Sequence, residues 1–360
     1  QPISELDENL LIQEYKFLHD RVQQAAYALI DASQRQGIHL QIGRNLLEKT
    51  SPEQRVERLF EIVDHLNYGT ELITDQAERN EIANLNLQAG QKALAATAYE
   101  AAFNYFNTGL KLLEVESWQR EYTLTLTLHS EAAEAAYLSG HFDEMEWLVK
   151  EVLSQAKTVL DTVKAYDSRI QAWLSRGEPK QALKTGLEVL RLLGIDLVEA
   201  PSQLDVQAGL EETTARLAGW EIEELIDLPE MTEPVPLAAI HILVSTIGAA
   251  FNVAPALMVL IVCKMVNLSI VYGNASWSLL GYAAYGMMLC GVVQDLELGY
   301  QFGKLSLNLA KRLGNKRGNC KALLMVNFHI IPWKEHLKET FPVLAEAYQS
   351  GIESGEFEFA

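Results

Sequence analysis

Three stretches of this chain are variants of one pattern: TAYEAAFNYFNTGLKLLE at 97–114, GHFDEMEWLVKEVLSQAK at 140–157 and GEPKQALKTGLEVLRLLG at 177–194. Aligning Tyr99, Phe142 and Pro179 gives steps of 43 and 37 residues. A fourth variant, GVVQDLELGYQFGKLSLNLAKRLG at 291–314, lies about three such steps further on. Each opens on a small or turn residue, passes through polar or acidic residues that suit a helix N-terminus, and becomes a periodic apolar helix. Each is preceded by another helical stretch of similar length. A period near 40 with two helices per unit marks a helical solenoid. One helical hairpin cannot bury its apolar face alone, whereas stacked hairpins share a continuous core.

The rest of the chain agrees with an all-α fold. The one strand-like alternation, TLTLTLH at 123–129, runs without a turn signal into SEAAEAAYLSG, so both read as a single helix. Trp277, Leu280 and Gly281 in WSLLGYAAYG resemble the tryptophan and leucine-glycine positions of tetratricopeptide repeats. Spacing elsewhere departs from that family's unit of about 34 residues. The expected fold class is therefore all-α: a tetratricopeptide-like helical-hairpin superhelix, or α-solenoid. An irregular helical bundle is the alternative.

Residues 234–263, PVPLAAIHILVSTIGAAFNVAPALMVLIVC, carry no charge and are long enough to span a bilayer. His241 and Asn252 interrupt the run, and Pro255 divides it. No Lys or Arg lies between Arg216 and Lys264, so the flanks lack the positive bias of a membrane span. A buried helical hairpin is expected, with Gly248, Ala249 and Ala250 permitting close approach of a neighbour. The acidic run before it, with Glu221, Glu223, Glu224, Asp227, Glu230 and Glu233, reads as a solvated loop. It lacks the ligand spacing and turn glycine of a calcium loop.

The formal charge is −19, from 48 acidic and 29 basic residues, which disfavours binding to phosphate backbones. Cys263, Cys290 and Cys320 are odd in number and widely spaced, which fits buried thiols in a reducing compartment. The chain opens at Gln1 without a basic-then-apolar leader and is expected to be a segment cut from a longer protein.

No phosphate-binding loop, dinucleotide fingerprint, HExxH, GxSxG or kinase motif is present. The eight histidines are scattered. Glu61 with His65 is an ordinary i,i+4 helix pair. The five cations of KRLGNKRGNCK at 311–321 suit a helix C-terminus. No catalytic residue and no metal ligand set is assigned.

The stretch YKFLHDRVQQAAYALI at 15–30 is more specific. Leu18, Val22, Ala25, Ala26 and Leu29 recur at helical spacing and are expected to form the buried stripe of a helix, with His19, Asp20 and Gln23 beside it. On the residues alone, Asp20 charges the first turn and His19 is a surface residue. The stretch also resembles a motif of large cyanobacterial-type multi-sensor hybrid signalling kinases. In these a serine/threonine kinase domain is followed by a STAND-type (AAA-like) ATPase, a helical repeat region, and sensor and histidine-kinase domains. Its FxHxxxxxAxY form is similar to the winged-helix segment after the STAND nucleotide-binding core. The matching positions here are Phe17, His19, Ala26 and Tyr27. The resemblance implies that His19 senses the phosphate of ADP held by an ATPase domain outside this chain, with Phe17, Ala26 and Tyr27 in support.

Residues 89–113 and 177–197 are similar to repeats after the winged helix in that family. The resemblance implies two parts: 1–75, the end of a winged-helix domain with linker helices, and 76–360, a repeat superhelix truncated at its C-terminus. It implies a non-enzymatic, cytoplasmic, regulatory and protein-interaction segment of a signal-transduction kinase. No cofactor is expected in the segment; ATP or ADP and Mg belong to the ATPase and kinase domains elsewhere. Expected partners are other domains of the parent kinase and an unknown protein or small-molecule signal, not nucleic acid or membrane. The alternatives are a nucleotide-binding or kinase-associated enzyme fragment, and a membrane-anchored helical protein.

Overall fold

The computed structural model describes residues 20–313 and 319–354, and among these the elements are helices. The chain divides into two compact units, residues 1–89 and 90–360.

The first unit holds α1 (Asp20–Ala28), α2 (Ala32–Lys49), α3 (Pro52–Tyr68) and most of α4 (Gln76–Ala95). Local sequence sets the boundaries. Asp31 accepts from Ser33 N–H at 2.9 Å to open α2, and Ser51 caps α3 with Pro52 in its first turn. Leu40, Leu59, Ile62, Val63, Leu66 and Ile82 are buried. At roughly 1.5–3 kcal/mol for each large aliphatic side chain fully buried, their burial is the main force holding the unit together. Asn86, also buried, exchanges amide hydrogen bonds of 2.8 Å with Asn67, so its polar group is satisfied inside that core.

The second unit continues with α5 (Tyr99–Leu112), α6 (Ser117–Arg120), α7 (Tyr122–Leu138), α8 (Phe142–Gln155), α9 (Val159–Ser175), α10 (Pro179–Leu192) and α11 (Gln203–Leu217). Then come α12 (Pro234–Val253), α13 (Pro255–Tyr272), α14 (Ser278–Met288), α15 (Leu296–Leu313), α16 (Asn319–His329) and α17 (Thr340–Ser354). Most helices pack on a sequence neighbour, on the helix two further along, or on both, as in α7 on α8, α5 on α7, α7 on α9 and α14 on α16. That is tandem stacking of hairpins, and it meets the expected class. The alternating strand-like segment at 123–129 lies inside α7, where Ala132, Ala133, Ala135 and Ala136 are completely buried.

The repeat alignment has a backbone cause. Helices α5, α8 and α10 begin at Tyr99, Phe142 and Pro179, the three aligned residues. Two residues before each start the chain turns left-handed, at Thr97 (φ 58°), Gly140 (86°) and Gly177 (71°); Gln294 (66°) occupies the same place before α15. The next N–H then reaches back five residues: Ala98 to Ala93 O, His141 to Ala136 O and Glu178 to Trp173 O, at 2.8–2.9 Å. Before α15 the reach is one residue longer, Asp295 to Leu289 O, because α14 ends in a wider helical turn at 289–293.

The uncharged stretch 234–263 forms α12 and the first half of α13, broken at Pro255 as the sequence implies. Both helices are long and apolar enough to cross a membrane. The apolar window of each is more than half buried against the rest of the fold, 56% and 61%. Gly281 of α14 fits because a Cβ there would approach Met265 Cβ of α13 to 3.1 Å. The acidic run is more than a loop. Its carboxylates are exposed, but Ile222, Leu225 and Met231 are buried and pin a 3-10 turn at Ile222–Asp227. Gly273 (φ 99°) lets Asn274 N–H reach Pro229 O at 2.8 Å; a Cβ there would lie 2.1 Å from that same oxygen.

Candidate functional site

A lane across α7, α9 and α12 of the second unit gathers charge from helices far apart in sequence. On α7, Glu131 and Glu134 face Lys164 of α9 at 2.6 and 2.9 Å. One turn along α9, Asp167 accepts from Ser245 Oγ of α12 at 2.5 Å and lies 3.4 Å from His241 Nε2. His241 stacks flat on Trp277, centroids 5.0 Å apart and planes 2° from parallel. Also on α9, Arg169 holds Glu146 of α8 through two bonds of 3.0 and 2.9 Å. Helical spacing of three and four brings Glu131 with Glu134, Lys164 with Asp167, and His241 with Ser245 onto single faces. Stacking of α7, α9 and α12 then joins those faces.

Electrostatics follow from this placement. Burial pushes the Asp167 carboxyl up, but the hydrogen bond and charge of His241, together with Ser245 and Gln171, hold it below the usual carboxylate range. Burial lowers His241, and Asp167 more than reverses this, so the imidazole lies above its ordinary value. Lys164 is likewise raised, because Glu134 and Glu131 outweigh burial. The lane thus alternates in sign while staying open: side-chain exposure is 40% for Lys164 and 29% for His241.

Ser245, Asp167 and His241 do not form a nucleophilic relay. The serine hydroxyl donates to the carboxylate and to His241 O at 3.2 Å, and no imidazole nitrogen accepts its proton. Among the described residues no group of three or more His, Cys, Asp or Glu converges on a metal position. The three cysteines are buried, and burial pushes Cys263 up to about 11, far from thiolate chemistry.

Phe17 and His19 lie outside the described residues. Ala26 falls in α1, with Tyr27 one position on. The Tyr27 hydroxyl meets His39 Nε2 at 3.1 Å, and His39 Nδ1 meets His65 Nδ1 at 2.9 Å. Glu61, the i−4 neighbour of His65, binds Arg58 instead, at 2.8 Å. In the basic stretch Arg312 pairs with Asp227 and Ile226 O, tying the end of α15 to the acidic turn. Sequence reasoning missed the lane across α7, α9 and α12. His241 registers there only as an interruption of an apolar run, and Asp167 lies 78 positions from Ser245; no motif spans that distance.

No family model matches the chain. It is similar to the hybrid signal transduction histidine kinase G of Dictyostelium discoideum, with 25% identity over 397 aligned residues that take in 98% of this chain. The chain spans 12% of that protein's length. The likeness supports a relation to signal-transduction kinases.

Proposed function

We propose that this chain is a regulatory and protein-interaction segment of a multidomain, cytoplasmic signal-transduction kinase. In this reading the tandem hairpins receive a signal, from a protein or a small molecule, and bias the enzymatic domains of the same polypeptide. The observation that carries it is the likeness to a hybrid histidine kinase along almost the whole chain. The fold supports it, because stacked hairpins offer an extended surface, and here that surface bears an open lane of alternating charge. Catalysis, with ATP or ADP and Mg, belongs to other domains of the parent. A finer reading places a STAND ATPase immediately upstream, with His19 contacting its bound ADP; the FxHxxxxxAxY resemblance supports it.

The test is made in the full-length parent protein. Replacing Lys164 with Met alters the lane without touching any kinase domain. We expect histidine autophosphorylation to change about 5-fold or more, the lower range of allosteric coupling. Unchanged phosphorylation in a folded variant contradicts the reading.

A further inference from the structure

The first unit carries a pair of histidines that the proposed signalling role does not use. His39 of α2 and His65 of α3 are both half-buried, on adjacent helices of one hairpin. Their Nδ1 atoms are 2.9 Å apart. Tyr68 lies against the His39 ring, centroids 4.4 Å apart. We propose that His39 and His65 form a two-histidine chelate for a divalent first-row transition metal, Cu(II) in preference to Ni(II) and Zn(II), with water completing the coordination.

The separation is the first argument. Two nitrogen donors about 2.0–2.1 Å from one ion, at a right angle to each other, lie about 2.9 Å apart. That is the cis arrangement of tetragonal Cu(II) and Ni(II). A tetrahedral ion at the same bond length needs its donors about 3.3–3.4 Å apart, so Zn(II) has to spread the hairpin. The helices already hold the two rings together, which removes part of the ordering cost of chelation.

Second, the outer partner is in place. A metal-bound imidazole characteristically donates its other N–H to an oxygen, which fixes tautomer and ring orientation. His39 Nε2 already faces the Tyr27 hydroxyl at 3.1 Å. Without metal, one consistent assignment has Tyr27 donating to Nε2 while His39 Nδ1–H donates to His65 Nδ1. With metal, the His39 proton moves to Nε2 and is accepted by the Tyr27 oxygen, whose own hydrogen turns to solvent, Tyr27 being exposed. Both Nδ1 lone pairs are then free for the ion, and no net proton is lost. Glu61 sits near enough to His65 to interact with it electrostatically, which favours a cation there. The Arg35 guanidinium, 5.0 Å from the Tyr27 ring centre, opposes it.

The test uses the purified full chain and the metal ions alone. Calorimetric titration with Cu(II) at neutral pH is expected to show one saturable equivalent, bound more tightly than Ni(II) or Zn(II). His39→Ala and His65→Ala are each expected to lose at least about 10-fold in affinity, and Tyr27→Phe about 10-fold through the outer partner. His336→Ala leaves the binding unchanged. As a readout that needs no variant, the Cu(II) electron paramagnetic resonance spectrum is expected to show coupling to two imidazole nitrogens. Binding that survives in a folded His39→Ala His65→Ala protein, or a spectrum with fewer than two nitrogens, overturns the proposal and leaves a hydrogen-bonded pair only.

Discussion

The two units place histidine in opposite company. In the first, His39 faces another imidazole; burial and the charge His65 can carry hold it below its ordinary value of 6.5. In the second, His241 faces Asp167; burial pulls it down, but the carboxylate lifts it above the same value. Burial acts in one direction on both rings. The nearest neighbour's charge therefore decides the sign at these two rings; His129 and His329 of the second unit, lowered by burial, shift the same way as His39.

The largest expected effect comes from removing the deciding neighbour. Asp167→Ala removes the anion beside His241 and the acceptor of Ser245, and, because the imidazole can shed its proton, should cost about 1–2 kcal/mol on denaturant unfolding of the second unit. Asp167→Asn, which can still accept from Ser245, should cost less. Lys164→Met separates the lane's electrostatics from its packing. It leaves Glu131 and Glu134 facing each other without their cation. Because Lys164 is 40% exposed and screened, the loss should be about 1 kcal/mol and should shrink in high salt.

The pH dependences run in opposite directions. The folded pKa of His241 is raised, so its contribution is complete below 6.5, the unfolded value, and is lost as pH rises through the folded pKa. Asp167, lowered, contributes fully above its ordinary 3.8 and loses that contribution as pH falls through its folded value. His39, also lowered, contributes fully above 6.5 and loses stability as pH falls below it. Between pH 8 and 5.5, amide exchange corrected for its intrinsic pH dependence should show more protection in α9 and α12 and less in α2 and α3. Changes of the same sign in both would break the comparison.

The smallest effect concerns the repeat turns. Thr97 adopts the left-handed conformation that Gly140 and Gly177 occupy in the equivalent turns. Thr97→Gly should stabilise the protein by about 0.5 kcal/mol, after the added freedom of the unfolded chain is counted. Gly140→Ala, with open space around its Cβ, should cost about 1 kcal/mol from backbone strain alone. Thermal melts of the two variants should therefore move in opposite directions.

These turns also show why so much of the fold could be read in advance. The period is written locally: a left-handed residue, then a helix start two positions on, repeated at Tyr99, Phe142 and Pro179. Pro255 breaks the uncharged stretch for the same local reason. The acidic run was harder to read, because Ile222, Leu225 and Met231 anchor it through contacts with no local periodicity. The charged lane was not legible. Glu131, Lys164, Asp167 and His241 meet only after α7, α9 and α12 have stacked, and along the chain each looks like an ordinary surface or interrupting residue. His39 and His65 escaped notice likewise, since α2 and α3 join them across 26 positions.

The most direct test is a titration of the ring signals of His39 and His241 by nuclear magnetic resonance in the full chain. The account predicts a midpoint above 6.5 for His241, falling back in Asp167→Asn, and a midpoint below 6.5 for His39. Midpoints on the same side of 6.5, or a His241 midpoint indifferent to Asp167→Asn, would contradict it.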